Sequence, residues 1–170
     1  MAFYYFDASA LVKYYVTEPG STWVRLLVED RDPETFRWRH VVFAAEITRV
    51  EVAAGLAVIA RVGRIRKTQR DREYRRFISQ FAYRYAILPL RTEDLEYAAD
   101  LTQQHPLKAY DAVQLAVALR HGRALAAHDL TLTFVSGDDT LLTAAQAEGL
   151  PTDNPFDHVS PHDIPQVPTP

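Results

Sequence analysis

The sequence predicts an α/β fold with three layers, in which helices flank a mostly parallel central sheet. Short apolar stretches, typical of strands buried on both faces, alternate along the chain with longer stretches that have a helical period. The chain has 170 residues, of which 48% are hydrophobic, enough for one globular domain with a sizeable core. Because strands and helices alternate, we expect parallel strands joined by helices.

Turn and capping residues divide the first half of the chain into two strands and four helices. A serine at a helix N-cap accepts a hydrogen bond from a free backbone N–H, so Ser9 and Ser21 are the expected caps of the first two helices. Gly63 is expected to end the third helix. The predicted order is a strand at 3–6, helices at 9–15 and 22–29, a strand at 41–44, and helices at 46–60 and 67–84.

The second half contains two further strands and three helices. Thr92 is the expected N-cap of the first of these helices, and proline favours the first position of the second. Gly122 is expected to end that second helix, which leaves a long loop at 121–131. The predicted order is a strand at 85–90, helices at 92–104 and 106–121, a strand at 132–136, and a helix from Asp138 to Gly149.

The end of the chain is rich in proline and poor in apolar residues. Prolines occur at positions 151, 155, 161, 165, 168 and 170. Such a segment buries too little apolar surface to fold alone, so we expect a domain over residues 1–156 and a mobile tail over 157–170. His158 and His162 are expected to be solvated in this tail.

Composition excludes several classes of site. The chain has no cysteine, which excludes disulfides, zinc-thiolate sites, Fe–S clusters and cysteine nucleophiles. A net charge of -3 does not indicate a protein that coats nucleic acid. The first seven residues lack the basic region of a signal peptide, and no stretch approaches the roughly 20 apolar residues of a membrane span. We therefore expect a soluble cytoplasmic protein.

Four acidic residues lie in sequence that is otherwise typical of a core. They are Asp7 after the run 3–6, Glu51 within 50–54, Asp111 at the start of 111–119, and Asp138 after 134–137. Burial of an unpaired carboxylate is costly, so a shared cationic partner is expected. Because the set lacks Cys and His, it favours Mg²⁺ or Mn²⁺, which take oxygen ligands, over zinc.

The predicted fold can bring these acids together. Asp7 and Asp138 follow strands, and ligands of α/β sheets bind at the carboxyl ends of strands. Asp111 opens a helix that is apolar on all sides, and Glu51 shares a helix face with Ile47 and Val58.

Each acid alone also has a simpler interpretation. Asp7 and Asp138 could cap the helices that follow them, Glu51 could be a partly exposed helix residue, and Asp111 could bind a local amide. Four such coincidences in one α/β pattern are less probable than a shared site.

Several segments carry a family resemblance. They are 6–15, 18–21, 48–52, 107–116 and 134–142, followed by 144–145 and 148–150. In this order they resemble a PIN-domain ribonuclease, most closely a VapC-type toxin of a toxin–antitoxin pair, over about residues 3 to 155. The segments around Asp7 and Asp111 are the more specific ones, whereas the segment around Glu51 alone is not.

The resemblance implies a PIN-like nuclease domain at 1–156 that binds Mg²⁺ or Mn²⁺ and hydrolyses RNA phosphodiester bonds. It implies that Asp7 and Asp111 are the main metal ligands. Glu51 and Asp138 would complete the cluster, bind a second ion or orient water. It also implies a homodimer and a protein antitoxin that blocks the site.

Three further residues match the pattern less specifically. Ser9 and Ser136 occupy positions where such proteins often carry a hydroxyl near the site. Asp139 follows Asp138 directly and could replace it in a shifted register.

The segment 61–76 is strongly basic. Its eight basic residues are Arg61, Arg64, Arg66, Lys67, Arg70, Arg72, Arg75 and Arg76. Such a run is usually a solvated helix face, but it could also bind RNA phosphates, through Arg64, Arg66, Lys67 and Arg70, or an acidic antitoxin segment.

An aromatic cluster also has two interpretations. Tyr14, Tyr15 and Trp23 are more often core residues than an exposed patch for a partner helix.

Two other functions are considered. An aspartyl phosphatase of the haloacid-dehalogenase type also uses an Asp after the first strand, but it carries a second Asp two residues later, where this chain has Ser9. A PIN-fold module that binds without catalysis is the other alternative. The presence of all four acids gives it no support.

Overall fold

The computed structural model describes residues 1–160, which contain a five-stranded sheet whose strand pairs are all parallel. The strands are β1 (Ala2–Phe6), β2 (His40–Ala45), β3 (Ala86–Leu88), β4 (Leu132–Val135) and β5 (Thr152–Asp153). Their order is β3-β2-β1-β4-β5, which places β1 at the centre. The predicted parallel sheet is confirmed, and β5 is an additional edge strand.

Seven helices connect these strands in the described part of the chain. They are α1 (Ala8–Tyr15), α2 (Ser21–Glu29), α3 (Thr48–Arg61), α4 (Lys67–Arg84), α5 (Thr92–Gln104), α6 (Ala109–Ala126) and α7 (Asp139–Ala147). A short 3-10 turn, Pro155–Asp157, follows β5. No helix among residues 1–160 is both long and apolar enough to cross a membrane.

Each face of the sheet supports a separate hydrophobic core. Tyr4 and Phe6 of β1 join residues of α1 to α4 on one face. Tyr5, between them, joins residues of α5 to α7 on the other. Because successive side chains of a strand point to opposite faces, one short apolar strand serves both cores. The three-layer α/β fold is thereby confirmed.

Helix α1 begins one residue earlier than predicted. Its N-cap is Asp7, whose Oδ1 accepts a hydrogen bond from the Ala10 backbone N–H at 2.9 Å. The prediction that Ser9 caps this helix is therefore wrong, because an aspartate at the strand end already satisfies the free amide.

Helix α6 differs from the prediction at both ends. It begins at Ala109 rather than Pro106, and it runs through Gly122 to Ala126. A Cβ at Gly122 would lie 2.9 Å from Leu150 Cδ2. The glycine therefore permits close packing within the helix and does not end it, and most of the expected loop at 121–131 is helical.

Residues 152–158 pack against the rest of the domain. Pro155 is buried, and the His158 ring stacks on Trp23 with 4.3 Å between centroids. His158 Nε2 also lies 2.6 Å from Asp153 Oδ1, so the prediction that His158 is solvated is wrong. Residues 161–170, including His162, lie outside the described residues, and the boundary between domain and tail stays a prediction.

The aromatic cluster belongs to the core. Tyr14, Tyr15 and Trp23 are each 3% exposed or less. Helices α1 and α2 therefore bury these rings, and the interpretation as core residues is confirmed.

Gly20 fixes the contact between the start of α2 and the C-terminal turn. Its φ is 84°, and a Cβ there would lie 2.1 Å from the Pro155 carbonyl oxygen. Gly63 has a similar φ of 78° but has nothing within 4 Å of the added Cβ.

We expect Gly20→Ala to destabilise the protein by about 2–4 kcal/mol and Gly63→Ala by about 1 kcal/mol. In both variants an alanine must adopt a positive φ, which strains the backbone, but only Gly20→Ala also places a Cβ against the Pro155 backbone. Urea unfolding of the two variants measures the difference. Equal losses of stability would show that Pro155 does not pack on Gly20 in solution.

Candidate functional site

The site begins where the two central strands end. β1 and β4 are paired up to Phe6 and Val135, so Asp7 and Ser136 emerge side by side. Ser136 Oγ donates a hydrogen bond to Asp7 Oδ2 at 2.9 Å, and the Asp7 N–H donates to the Val135 carbonyl at 3.2 Å. The parallel pairing of the strands therefore sets the position of the Asp7 carboxylate.

Two serine hydroxyls surround this carboxylate. Ser9 Oγ donates to Asp7 Oδ1 at 2.8 Å and accepts a hydrogen bond from the Gly137 N–H at 2.7 Å. Ser136 Oγ also accepts from the Asp138 N–H at 3.0 Å. The structure places Ser9 and Ser136 beside Asp7, where they connect it to the loop after β4.

Glu51 lies on α3, is partly buried, and is held by a residue that the sequence analysis missed. The side-chain amide of buried Gln114 donates to Glu51 Oε2 and, at 2.9 Å, to Thr48 Oγ1. Gln114 Oε1 accepts from the Tyr5 hydroxyl at 2.5 Å. The available signal was a glutamine inside the otherwise apolar stretch 112–119.

The prediction that Glu51 and Val58 share a core-facing surface of α3 is only partly correct. Val58, which was expected to share a core-facing surface with Glu51, is 46% exposed. Glu51 faces Gln114 at the start of the helix, whereas the later turns of that face are open to solvent.

Asp111 and Asp138 lie at the starts of two helices. Asp111 is in the first turn of α6, and Asp138 is the N-cap of α7, where its Oδ1 accepts from the Leu141 N–H at 3.0 Å. Both Asp7 and Asp138 therefore cap helices, which is the simpler interpretation that the sequence allowed for each of them. Asp139 is exposed and accepts a hydrogen bond from Asn154 Nδ2 at 2.8 Å, so the structure gives it a different partner.

The four acids influence one another electrostatically. Burial, followed by the charge of Asp111, raises the pKa of Asp7 to about 6, although hydrogen bonds to Ala10, Ser9 and Ser136 oppose the rise. Burial, with the charges of Asp7 and Asp111, raises the pKa of Glu51 to about 7 against the hydrogen bond from Gln114.

Asp111 connects this pair to the fourth acid. Burial and the charge of Asp138 raise the pKa of Asp111. The structure therefore brings Asp7, Glu51, Asp111 and Asp138 into one electrostatic cluster at the carboxyl end of the sheet.

The chemistry of this cluster fits a hard divalent cation. Its donors are carboxylate and hydroxyl oxygens, the ligands that Mg²⁺ and Mn²⁺ prefer. Within residues 1–160, no three His, Cys, Asp or Glu side chains are already arranged to hold one metal ion. Binding would therefore require neighbouring carboxylates to turn toward Asp7, which is held in place by its hydrogen bonds, and a cation would offset the repulsion that opposes this movement.

The basic segment lies between and along α3 and α4. Arg64, Arg66 and Lys67 are exposed, whereas Arg70 is half-buried and its Nε donates to Asp71 Oδ1 at 2.9 Å. The three exposed cations are therefore free of the neighbouring acid that binds Arg70.

The raised pKa values predict how stability depends on pH in the presence of EDTA. Asp7 and Glu51 bind protons more tightly in the folded chain than in the unfolded chain. Their contribution to stability is full below about pH 4 and is lost as the pH rises through about 6 and 7.

We expect Glu51→Gln to raise the melting temperature at pH 8 by about 3 °C and to weaken its dependence on pH, because the variant removes one of these carboxylates. Thermal unfolding between pH 5 and 8 measures this, with Glu46→Gln, a change at an exposed residue, as the matched control. The same pH dependence in Glu51→Gln and in wild type would contradict the burial of this charge.

Solved structures share this fold. FitAcB from Neisseria gonorrhoeae is 19% identical, with 91% of this chain and 99% of that chain covered and a TM-score of 0.59. VapBC2 from Rickettsia felis, bound to a promoter DNA fragment, is 15% identical, with coverage of 89% and 98% and a TM-score of 0.54. VapC20 from Mycobacterium tuberculosis, a sarcin-ricin loop cleaving toxin, is 12% identical, with coverage of 83% and 94% and a TM-score of 0.54.

The family is shown by the sequence itself. No curated protein matches the chain. The family model of the PIN domain matches residues 4–136, a range that begins in β1 and ends at Ser136, beside the Asp7 carboxylate. Since this match covers most of the 170 residues, the chain belongs to the PIN-domain family.

Proposed function

We propose that the chain is a divalent-metal-dependent endoribonuclease and the toxin of a type II toxin–antitoxin pair. One observation carries the proposal: a buried carboxylate, Asp7, lies in electrostatic contact with other acids at the end of a PIN-fold sheet. A purely structural role would favour neutral groups or a paired cation at such a position.

The side chains of the cluster have different tasks in this proposal. Asp7 is fixed by Ser9, Ser136 and the start of α1, so it is the rigid metal ligand. Asp111 is the second main ligand. Glu51, oriented by Gln114, completes the cluster together with Asp138, either by binding a second ion or by orienting water.

A bound Mg²⁺ or Mn²⁺ would lower the pKa of a water molecule and stabilise negative charge on a phosphoryl oxygen. The protein supplies the fixed carboxylates and a rigid backbone around them. The Ser9 and Ser136 hydroxyls hold the Asp7 side chain in one orientation, so that little ordering remains when substrate binds.

Solved structures of similar fold support RNA as the proposed substrate and a protein as the proposed partner. One solved structure of this fold is a toxin that cleaves the sarcin-ricin loop, and another is a toxin–antitoxin complex from Klebsiella pneumoniae. We extend this to the present chain as an RNA substrate and a cognate protein antitoxin. The homodimer and the cytoplasmic location implied by the resemblance belong to the same proposal.

The exposed cations beside α4 are assigned to the RNA backbone. Arg64, Arg66 and Lys67 are exposed and form no ion pair with an acid of residues 1–160, and Arg70 borders them. Contacts to phosphates make affinity fall with salt, so charge removal at Arg64 should reduce the salt dependence of RNA binding.

The alternatives have less support. A haloacid-dehalogenase-type phosphatase would need an acid where Ser9 instead donates to Asp7. A non-catalytic PIN-fold module would have no use for a buried charged cluster that is costly to keep.

We expect the wild-type protein to cleave end-labelled RNA in the presence of Mn²⁺ and Asp111→Asn to lose at least about 100-fold in rate, because a main ligand is removed. Asp100→Asn, which changes an exposed acid on α5, is the matched control, purified in the same way. Cleavage by all three proteins at one rate would mean that the activity is not that of this site.

A further inference from the structure

An exposed aromatic ring lies beside the acid cluster. Phe156, in the turn after β5, is 44% exposed. A Cβ built on Gly137 would lie 3.1 Å from Phe156 Cε2 and 3.4 Å from Ser9 Oγ. The ring edge and the hydroxyl that donates to the Asp7 carboxylate therefore both lie next to Gly137.

One face of this ring is covered by a buried lysine. Lys13 Nζ lies 3.5 Å from the centre of the Phe156 ring, and the Lys13 side chain is 1% exposed. The ammonium group also donates to Glu18 Oε1 at 2.9 Å and to the Pro19 carbonyl at 3.1 Å. Because the ammonium covers one face and the residue is still 44% exposed, we infer that the opposite face is the part of the ring open to a ligand.

The backbone around the ring is also fixed. Pro155 packs on Gly20, and the Phe156 N–H donates to Asn154 Oδ1 at 3.0 Å. The open face of Phe156 is thus a rigid surface, held in place by the cation beneath it and by the turn that carries it.

We propose that the open face of Phe156 stacks on an unpaired nucleobase of the RNA, next to the phosphate that reaches the acid cluster. This inference rests on the proposed ribonuclease function for the position of that phosphate. Aromatic rings bind single-stranded nucleic acid in this way because every base has a π-face, whereas a paired and stacked base does not offer one.

The surroundings favour a base over the apolar side of a protein helix. Pro155 is buried and Asp157 is exposed and acidic, so within the turn Pro155–Asp157 the ring has no exposed apolar residue directly beside it, and the next exposed apolar residue is the single Val159. A partner helix that binds by its apolar face needs a row of exposed apolar residues to contact. A single open ring next to a phosphate-processing site suits one base.

The test measures RNA binding in the full chain, with Asp111→Asn as the background to prevent cleavage. Two fluorescein-labelled probes of equal length are used, an oligoadenylate and an oligomer of ribose phosphates without bases. We expect Phe156→Leu to weaken oligoadenylate binding about tenfold and to leave binding of the base-free oligomer unchanged.

Two further variants separate stacking from folding. Phe156→Tyr keeps an aromatic face and is expected to retain the wild-type preference for the oligoadenylate. Tyr83→Leu removes a ring that is 70% exposed at the end of α4 and is expected to change nothing. Unchanged binding of the base-free oligomer shows that the phosphate path is intact.

Each other result overturns the stacking proposal. If Phe156→Leu and the protein that retains Phe156 bind the oligoadenylate with equal affinity, the ring does not stack on a base, and a protein partner becomes its expected ligand. The nuclease proposal is not affected by that result. An equal loss for both probes would assign Phe156 to folding alone. Absence of binding to either probe, together with absence of cleavage by the chain that retains Asp111, would remove both proposals.

Discussion

The buried carboxylate of Asp7 is the group on which the arrangement of this site depends. It caps α1, ends β1 and accepts a hydrogen bond from Ser136 at the end of β4, so three elements meet at one side chain. Its donors are neutral hydroxyl and amide groups, which orient the carboxylate without balancing its charge. The negative charge of Asp7, together with that of nearby Asp111, is the physical reason to expect a cation at this edge of the sheet.

A second contact joins the layers of the fold at the same edge. Gln114 extends from α6, in one layer, to Glu51 and Thr48 on α3, in the other, and accepts from Tyr5 in the sheet between them. Glu51 is therefore held by a hydrogen-bond network that includes groups from all three layers. Because a catalytic arrangement must be rigid to within fractions of an ångström, such cross-layer hydrogen bonds link the stability of the fold to the function that we propose for it.

Much of the fold could be predicted from the sequence because its signals are local. Apolar strands, capping residues and an acid directly after a strand act over a few residues, and they gave the parallel sheet and the placement of Asp7. Some errors are local, such as the capping of α1 by Asp7 rather than Ser9, but the more consequential ones concern contacts between distant segments. The sequence pattern predicts that Gly122 ends a helix, but the helix continues through it, and the missing side chain makes room for Leu150. A glutamine in an apolar stretch marks Gln114 as unusual, but the partners of Gln114 and Phe156 lie 63 or more residues away, and no local pattern reveals those partners.

We propose above all that these carboxylates together bind one or more divalent cations. The most direct test is a Mn²⁺ titration at pH 7.5, in which the electron paramagnetic resonance signal of the free ion is measured with wild type, Asp7→Asn and the surface control Asp100→Asn. We expect wild type and the control to bind Mn²⁺ and Asp7→Asn to bind it at least about tenfold more weakly, since that change removes the central ligand. Equal Mn²⁺ binding by all three proteins, or none by wild type, would contradict it.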